Sequence, residues 1–579
     1  MLRELREYAL RLEAVGELPP RMYQPTRIKW LVELGRDGSF RGFVNTVPEN
    51  ARGPEKRGKE YLAPHLVRTA GAIRPKLLAD RADYALGVCP SDVGKRERVV
   101  QAHDAFCDLT CQCAESLHDP GVQAVATFLG AGEVSRLPLP EDFNAGDIVS
   151  FLVDGELLIG SPAVRGWWAA RNEPDPDPEK ARYCLGCGEQ RTLAARHPVS
   201  IKGIPGGQSS GMQLISANEN AFESYGLRAS LVAPVCHTCA EQYAQALNAL
   251  LRDEDTHLNV GGAALVFWTR QETGFSPTAL LSRPGPEDVA RLVQSALGKS
   301  PSRVDEGDFY ACAFSASGGR VVVRDWTTTT IGSVQESLAR FFVSQALVDP
   351  SSEPGRPLGV FALAASIVRE AKDIEPQTVK ALVHQALFGG RLPNNLLQRA
   401  LARSRTGGSA GPGSSGSNVM PRSRAVLIKM VLASGLPEEE ARRMESLDTS
   451  NREPAYLCGR LFAELERAQR LAVGAKATIN DRFYGSASTT PVTVFPTLMR
   501  GSQNHLAKLR KTRRGAYAGI QAAIEEIVAG LPSFPRVLTL REQGMFALGY
   551  YHQRAENRRR ASEHATTPNG SDAAADLDD

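Results

Sequence analysis

The chain has 579 residues, 42% of them apolar, and a formal charge of +3 at pH 7. This leaves ample material for the cores of about 3 to 4 domains and excludes a disordered polyelectrolyte. It does not by itself mark a nucleic-acid binder, and no apolar run approaches the ~20 residues that span a bilayer.

In chain order, Met1 to Glu17 reads as an amphipathic helix ended by Pro19-Pro20, without the unbroken apolar stretch of a signal peptide. Ile28 to Leu34 and Ser39 to Val44, joined by Gly35-Arg-Asp-Gly38, read as a hairpin. A basic Gly-rich loop, Arg52 to Lys59, follows. Lys95 to Leu117 is predicted helical, and Phe151 to Ile159 is a second hairpin. Past the Pro/Asp-rich loop 172–179, Glu241 to Arg252 reads as a helix and Ala263 to Thr269 as a buried strand. A further hairpin turns at Ser317-Gly-Gly319, and helices dominate from Ser333. Ser404 to Asn418 is a Gly/Ser stretch with no core-forming residues, hence a flexible linker. Beyond it the pattern is helical, with Leu457, Leu461, Leu465, Ala468 and Ala472 tracing one apolar stripe.

The expected class is α+β: mixed α/β N-terminal and central domains carrying a zinc-knuckle insert, then an all-α C-terminal helical bundle. The division is 1–180, 181–332, a helical segment 333–403, a linker 404–419, a bundle 420–556 and a disordered tail 557–579. Charge is uneven along it. Leu471 to Arg560 carries 14 Lys/Arg against 5 Asp/Glu, ahead of an acidic end at Asp572 to Asp579. The densest basic patch, Lys508, Arg510, Lys511, Arg513 and Arg514, suits a phosphate backbone and equally a solvated face.

Four cysteines carry the clearest chemistry. Cys184-Leu-Gly-Cys187 and Cys236-His-Thr-Cys239 are C-x2-C turns separated by 48 residues, and together they can close a four-thiolate zinc site. Such a site has no open position for water, so the zinc is read as structural. Ten cysteines in a chain this long make no disulfide scaffold, and a reducing prokaryotic cytoplasm is expected. Gly206-Gly-Gln-Ser-Ser-Gly211 lacks the Gly-Lys-Ser/Thr of a nucleotide loop. It suits either a phosphate contact beside Lys202 or a plain turn. His103-Asp104, near Cys107, Cys111 and Cys113, lacks the further ligands a metal-dependent hydrolase needs.

Several segments together resemble one family. They are Arg68 to Gly87, His197 to Gly211, Ser216 to Gly226, Gln242 to Leu251, Pro454 to Gln469 and Ala487 to Pro496. They look like the large subunit of the type I-C CRISPR surveillance complex, Cascade, of the Csd family. The resemblance does not supply the zinc, which is read from the cysteines alone.

What the resemblance implies is a non-catalytic scaffold. It would join crRNA, backbone, handle-binding and small subunits, inspect double-stranded DNA for a PAM, hold the displaced strand and help recruit a helicase-nuclease. The C-terminal bundle would be similar to the small subunit, with Met420, Met430 or Met444 as internal starts. PAM or duplex contacts would fall to Lys56, Arg57 and Lys59, or to Arg68, Thr69, Arg74 and Lys76. Lys202, Gln208, Asn218 and Tyr225 would face nucleic acid or a neighbouring subunit, and the Lys508–Arg514 patch the non-target strand. Two other readings stand beside this one: a metal-dependent nuclease on His103 and Asp104, and a standalone zinc-stapled nucleic-acid-binding protein.

Overall fold

The structure is a computed structural model that describes residues 1–66, 68, 72–89, 96–132, 137–172, 181–217, 219–223, 225–298, 307–349, 355–406, 420–474 and 479–565. Thr69, Asn218 and the loop 173–180 lie outside these residues. The chain divides into two units, Met1–Asp253 with Ala313–Trp326, and Glu254–Cys312 with Thr327–Asp579.

In the first unit, helix α1 (Leu2–Ala14) buries Leu5, Tyr8, Ala9 and Leu12, the spacing expected of an amphipathic helix. Strands β1 (Tyr23–Ile28) and β4 (Lys59–Pro64) form an antiparallel two-stranded ribbon, with Tyr23 opposite Pro64 and Ile28 opposite Lys59. Between them, β2 (Trp30–Leu34) and β3 (Phe40–Asn45) make the predicted hairpin. Gly38, at φ 82°, supplies the left-handed residue of its turn. β2 also pairs in parallel with β6 (Ile148–Val153), which pairs antiparallel with β5 (Ala79–Arg81) and with β7 (Glu156–Leu157). Helices α2 (Ala82–Ala85), α3 (Arg96–Leu117), α4 (Pro120–Gly130) and α5 (Pro162–Arg171) complete this region. Its core joins Trp30, Val32, Phe106, Phe128, Phe151 and Trp168. Then come a short hairpin, β8 (Ala181–Tyr183) and β9 (Gln190–Thr192), and helix α6 (His237–Arg252), which packs on α1.

The second unit opens with β10 (His257–Val260), β11 (Ala263–Thr269), β12 (Asp308–Ser317) and β13 (Arg320–Thr330), hydrogen-bonded in that order. The tip of the β12–β13 hairpin belongs to the first unit. Helices α7 (Thr278–Ser282) and α8 (Pro286–Leu297) lie between β11 and β12, and α9 (Ile331–Val343), α10 (Val360–Ala365), α11 (Pro376–Phe388) and α12 (Asn394–Arg405) follow β13. α12 runs two residues into the Gly/Ser segment, whose 407–419 lie outside the described residues. The rest is helical: α13 (Arg422–Ala433), α14 (Glu438–Arg442), α15 (Pro454–Val473), α16 (Ile479–Ala487), α17 (Pro491–Thr512), α18 (Arg514–Ala529) and α19 (Leu540–Ala565).

Two expectations are corrected here. α15 was expected to bury one stripe, but it is buried on nearly every side, from Ala455 through Glu466 without a break. The reason is its central place, packed by α16, α17, α18 and α19. Its polar residues find partners inside. The Arg460 guanidinium donates to both Glu526 carboxylate oxygens at 3.1 Å, and Glu464 accepts from Gln553 and Asn557. α15 and α19 run parallel and touch backbone to backbone through glycines. A Cβ on Gly459 would sit 2.0 Å from the Phe546 carbonyl oxygen, and one on Gly549 2.2 Å from that of Tyr456. The second correction is at the C-terminus: the expected tail 557–579 begins as helix, because α19 continues to Ala565. Ion pairs of Arg559 and Arg560 with Glu556, and of Arg559 with Glu563, sustain it at three- and four-residue spacing.

Candidate metal centre and nucleic-acid interface

The first cysteine turn lies between β8 and β9. Cys184 N–H donates to the Glu189 carbonyl at 2.9 Å, and Gly188, at φ 75°, brings its N–H to the Cys184 carbonyl at 2.8 Å. The second turn is delivered by α6: Cys236 precedes its first residue and Cys239 sits in its first turn. A bridge between Leu193 and Cys236 ties the two segments together. All four Sγ atoms lie within 4.8 Å of one another, close to the ~3.8 Å edge expected for a tetrahedron with metal–sulfur bonds of ~2.3 Å. Cys184, Cys236 and Cys239 are buried and Cys187 is half-buried.

Backbone N–H groups of Gly186 and Cys236 donate to Cys184 Sγ at 3.3 and 3.2 Å. A Cβ on Gly186 would come within 2.7 Å of Cys239 Cβ, so the first turn needs glycine there. Hydrogen bonds from Cys236 and Cys239 hold the Cys184 thiol far below its ordinary value. The same interaction pushes Cys236 up to about 11 and Cys239 higher still. The protein's own donors thus stabilise one thiolate, while four together need a cation. These residues fit a soft tetrahedral metal ion.

α6 carries the knuckle's order into the basic surface. Lys202 N–H donates to Asn248 Oδ1 at 2.9 Å, and Asn248 Nδ2 donates to the Ser200 carbonyl at 3.0 Å. Lys202 is exposed at the mouth of a cavity of about 340 Å³ that Tyr23, Gln24, Glu60 and Arg252 also line.

Lys202 shares its surroundings with Arg68 and Lys76, which lie far away in sequence. Asp80, 1% exposed, organises this group. It pairs with the Arg68 guanidinium and accepts from the Lys76 and Arg81 N–H groups, each at 2.8 Å. Arg68 also donates to the Arg74 carbonyl at 2.7 Å and lies 4.0 Å over the Tyr84 ring. Burial pushes the Lys76 ammonium down, Asp80 opposes this, and the charges of Arg68 and Lys202 add to it. His65 is pushed down to about 3 by burial and by Lys76 and Lys202, so it is neutral at pH 7. Its Nδ1 is buried and has no hydrogen-bond partner among the described residues. Sequence reasoning missed His65 and Asp80, since neither lies in a recognisable motif.

The other predicted set does not join this group. Lys56 and Arg57 are exposed on a 3-10 turn, Gly53–Arg57, and Lys59 opens β4. At ~3.3 Å per residue, Lys59 and Pro64 are about 17 Å apart along β4, and His65 and Arg68 come after Pro64. Lys59 and His65 therefore stand at opposite ends of the ribbon, while Glu60, next to Lys59, lines the same cavity as Lys202. Gly58 makes the ribbon's turn possible, because a Cβ there would lie 2.1 Å from the Ile28 carbonyl oxygen.

Gly206 to Gly211 is the turn of a loop closed by paired 2.8 Å hydrogen bonds between Ile201 and Met212. Gln208 is exposed on it. Tyr225 is 97% exposed at φ 53°, an uncommon backbone conformation for a bulky side chain. Near it in sequence, Phe222 is capped by the Arg320 guanidinium, 3.7 Å over the ring.

In the second unit, Lys508, Arg510, Lys511, Arg513 and Arg514 are all exposed, where α17 ends and α18 begins. The first three favour the end of α17, but Arg513 and Arg514 stand at the positive end of α18, where the helix dipole opposes cations. His103 Nδ1 lies 2.9 Å from the Tyr84 carbonyl, and Cys107 Sγ lies 3.6 Å from its Nε2. Among the described residues, the only group of three or more Cys, His, Asp or Glu with metal-holding geometry is the cysteine knuckle.

The class of protein so defined is a mixed α+β chain with a four-cysteine knuckle, basic surfaces and a C-terminal helical assembly. Residues 5–557 match the family of the CRISPR-associated protein Csd1. The chain belongs to that family: it is a large subunit of a type I-C Cascade complex, which assembles with other Cas subunits and crRNA in CRISPR defence. No curated protein gives a match to it. Among the described residues, no helix is long and apolar enough to cross a membrane.

Proposed function

We propose that the first unit of this subunit reads the PAM in duplex DNA and helps open the strands. The second unit would then hold the non-target strand. Catalysis would be left to a helicase-nuclease that docks on the assembled complex in a prokaryotic cytoplasm. The observation that carries the reading is the gathering of Arg68, Lys76 and Lys202 in one neighbourhood, with Arg68 held by the buried carboxylate of Asp80 and Lys202 close enough to act on Lys76. Asp80 fixes Arg68 in place and partly offsets the charge of Lys76, while that of exposed Lys202 is left over to meet phosphate or a guanine edge. Lys56, Arg57 and Lys59 at the far end of the ribbon suit contacts to the same duplex further along.

The cysteine knuckle is read as a structural zinc site that braces α6, and through Asn248 the position of Lys202. Met420 is the internal start that leaves α13 whole, since Met430 lies inside that helix. The test is binding of PAM-containing duplex by the assembled complex. Lys76→Ala with Lys202→Ala should weaken binding about tenfold or more without lowering the melting temperature. Unchanged affinity sinks the PAM-reading assignment. Cleavage of DNA by the purified chain with Mg²⁺ or Mn²⁺, abolished by His103→Ala, would sink the non-catalytic one.

A further inference from the structure

We propose that the second unit holds a phosphate-group site between α13, α15 and α19, with Arg470 and Arg558 as its donors. Two cavities flank the same stretch of α19. One, of about 190 Å³, is lined by Met420, Pro421, Arg422, Tyr550, Tyr551, Arg554 and Arg558. A smaller one, of about 30 Å³, is bounded by Glu466, Arg467, Arg470, Arg554, Asn557 and Arg558 among others. Arg554 and Arg558 line both, so the arginines form one cationic wall seen from two sides.

Most of that wall is already paired. Arg554 meets Glu466 at 3.0 Å, Arg422 Nε lies 3.5 Å from Asp349, and Arg467 lies 3.8 Å from Glu464 and donates to Asn557 at 3.3 Å. Arg559 and Arg560 pair with Glu556. Arg470 and Arg558 are half-buried, and neither guanidinium has a hydrogen bond or ion pair to a described residue. Arg470 stands in the last turn of α15, where the helix dipole eases its charge. Arg558, within α19, has no such relief, and burial together with Arg554 and Arg470 weighs against its charged form. Holding two guanidinium groups half-dehydrated without an anion is costly, and an oxyanion that takes forked N–H donors removes that cost.

The cavities select the ligand by size and surface. Arg558 lines both cavities and Arg470 only the smaller; both volumes, about 190 and about 30 Å³, are below the ~300 Å³ at which drug-sized ligand pockets begin, which suits a phosphate group and leaves no room for a nucleoside. Tyr550 and Tyr551 offer no stacking face. Both are buried, and their hydroxyls already donate to Glu466 at 2.7 Å and to the Val348 carbonyl at 3.1 Å. The site therefore recognises phosphate without reading a base, whether as a free ion or as a diester in a strand.

The test uses the full-length chain with Arg470→Gln and Arg558→Gln, singly and together. In sodium phosphate at constant ionic strength, against chloride, the wild-type melting temperature should rise and that of the double variant should not. In phosphate-free buffer the variants should melt no lower than wild type, which separates lost binding from lost folding. A fluorescent single-stranded oligonucleotide distinguishes the two sources. About tenfold weaker binding by the double variant, with a salt slope shallower by about 1.4, assigns a strand diester. Phosphate protection with unchanged strand affinity assigns the free ion. A double variant that folds, is protected by phosphate like wild type and binds the strand equally well overturns the site. Failure of the wild type to bind any strand, with phosphate protection intact, overturns strand holding and leaves the phosphate site standing.

Discussion

Replacing Cys184 with Ser tests the knuckle and what it supports. Cys184 to Cys239 spans 56 residues, and a metal joining its ends removes the closure entropy of that loop from the unfolded chain. The chain-entropy relation for a cross-link of that length gives about 4 kcal/mol, before any metal–sulfur bonding is counted. Cys184 is also the sulfur on which the two backbone donors and the two other thiols converge, so its loss should disorganise the whole cluster. Purified wild-type protein should carry about one zinc per chain by elemental analysis. Chelation or Cys184→Ser should lower the melting temperature and expose the backbone of α6 to hydrogen exchange. Because α6 positions Lys202 through Asn248, duplex binding should weaken with it. The metal requires deprotonated thiols, with which protons compete, so zinc retention should fall as pH is lowered. Metal-free purified protein whose Cys184→Ser variant melts with wild type would refute the reasoning.

Further outcomes are expected at other sites. Alanine at Lys508, Arg510, Lys511, Arg513 and Arg514 should weaken single-strand binding and flatten its salt slope by up to about 3.5, and an unchanged slope assigns the patch to solvent. Asp80→Asn removes the carboxylate that pairs with Arg68 and acts on Lys76, and breaking such a buried pair costs about 3 to 5 kcal/mol, measurable as reduced denaturant stability. His552 is 1% exposed and burial pushes its imidazole down to about 3, whereas the unfolded chain protonates it near 6.5. Stability should therefore fall as pH drops below about 6.5, by up to about 1.4 kcal/mol per unit for this group, until pH approaches 3. His552→Asn should flatten that acid limb by about one proton, and an unaltered limb would move its origin elsewhere.

The amino-acid sequence alone determined what is local. The two C-x2-C turns, the hairpin at Gly35–Gly38, the helix of Leu5, Tyr8 and Leu12 and the helical C-terminal half all follow from spacing within a few residues, because turn geometry and side-chain period act at short range. The family was legible for a related reason: its segments are contiguous along the chain. Only the tertiary structure decided which charges meet. Arg68 and Lys202 come together because Asp80 anchors one and α6 the other, and nothing near either residue in sequence announces it. The same holds for α15, whose apolar stripe predicted one buried face until packing from several sides enclosed Arg460 and Glu464 as well. Nothing in the sequence singles out Arg470 or Arg558. They acquire meaning from half-burial beside already paired neighbours, because desolvation and Coulomb energy depend on distance in space rather than separation along the chain.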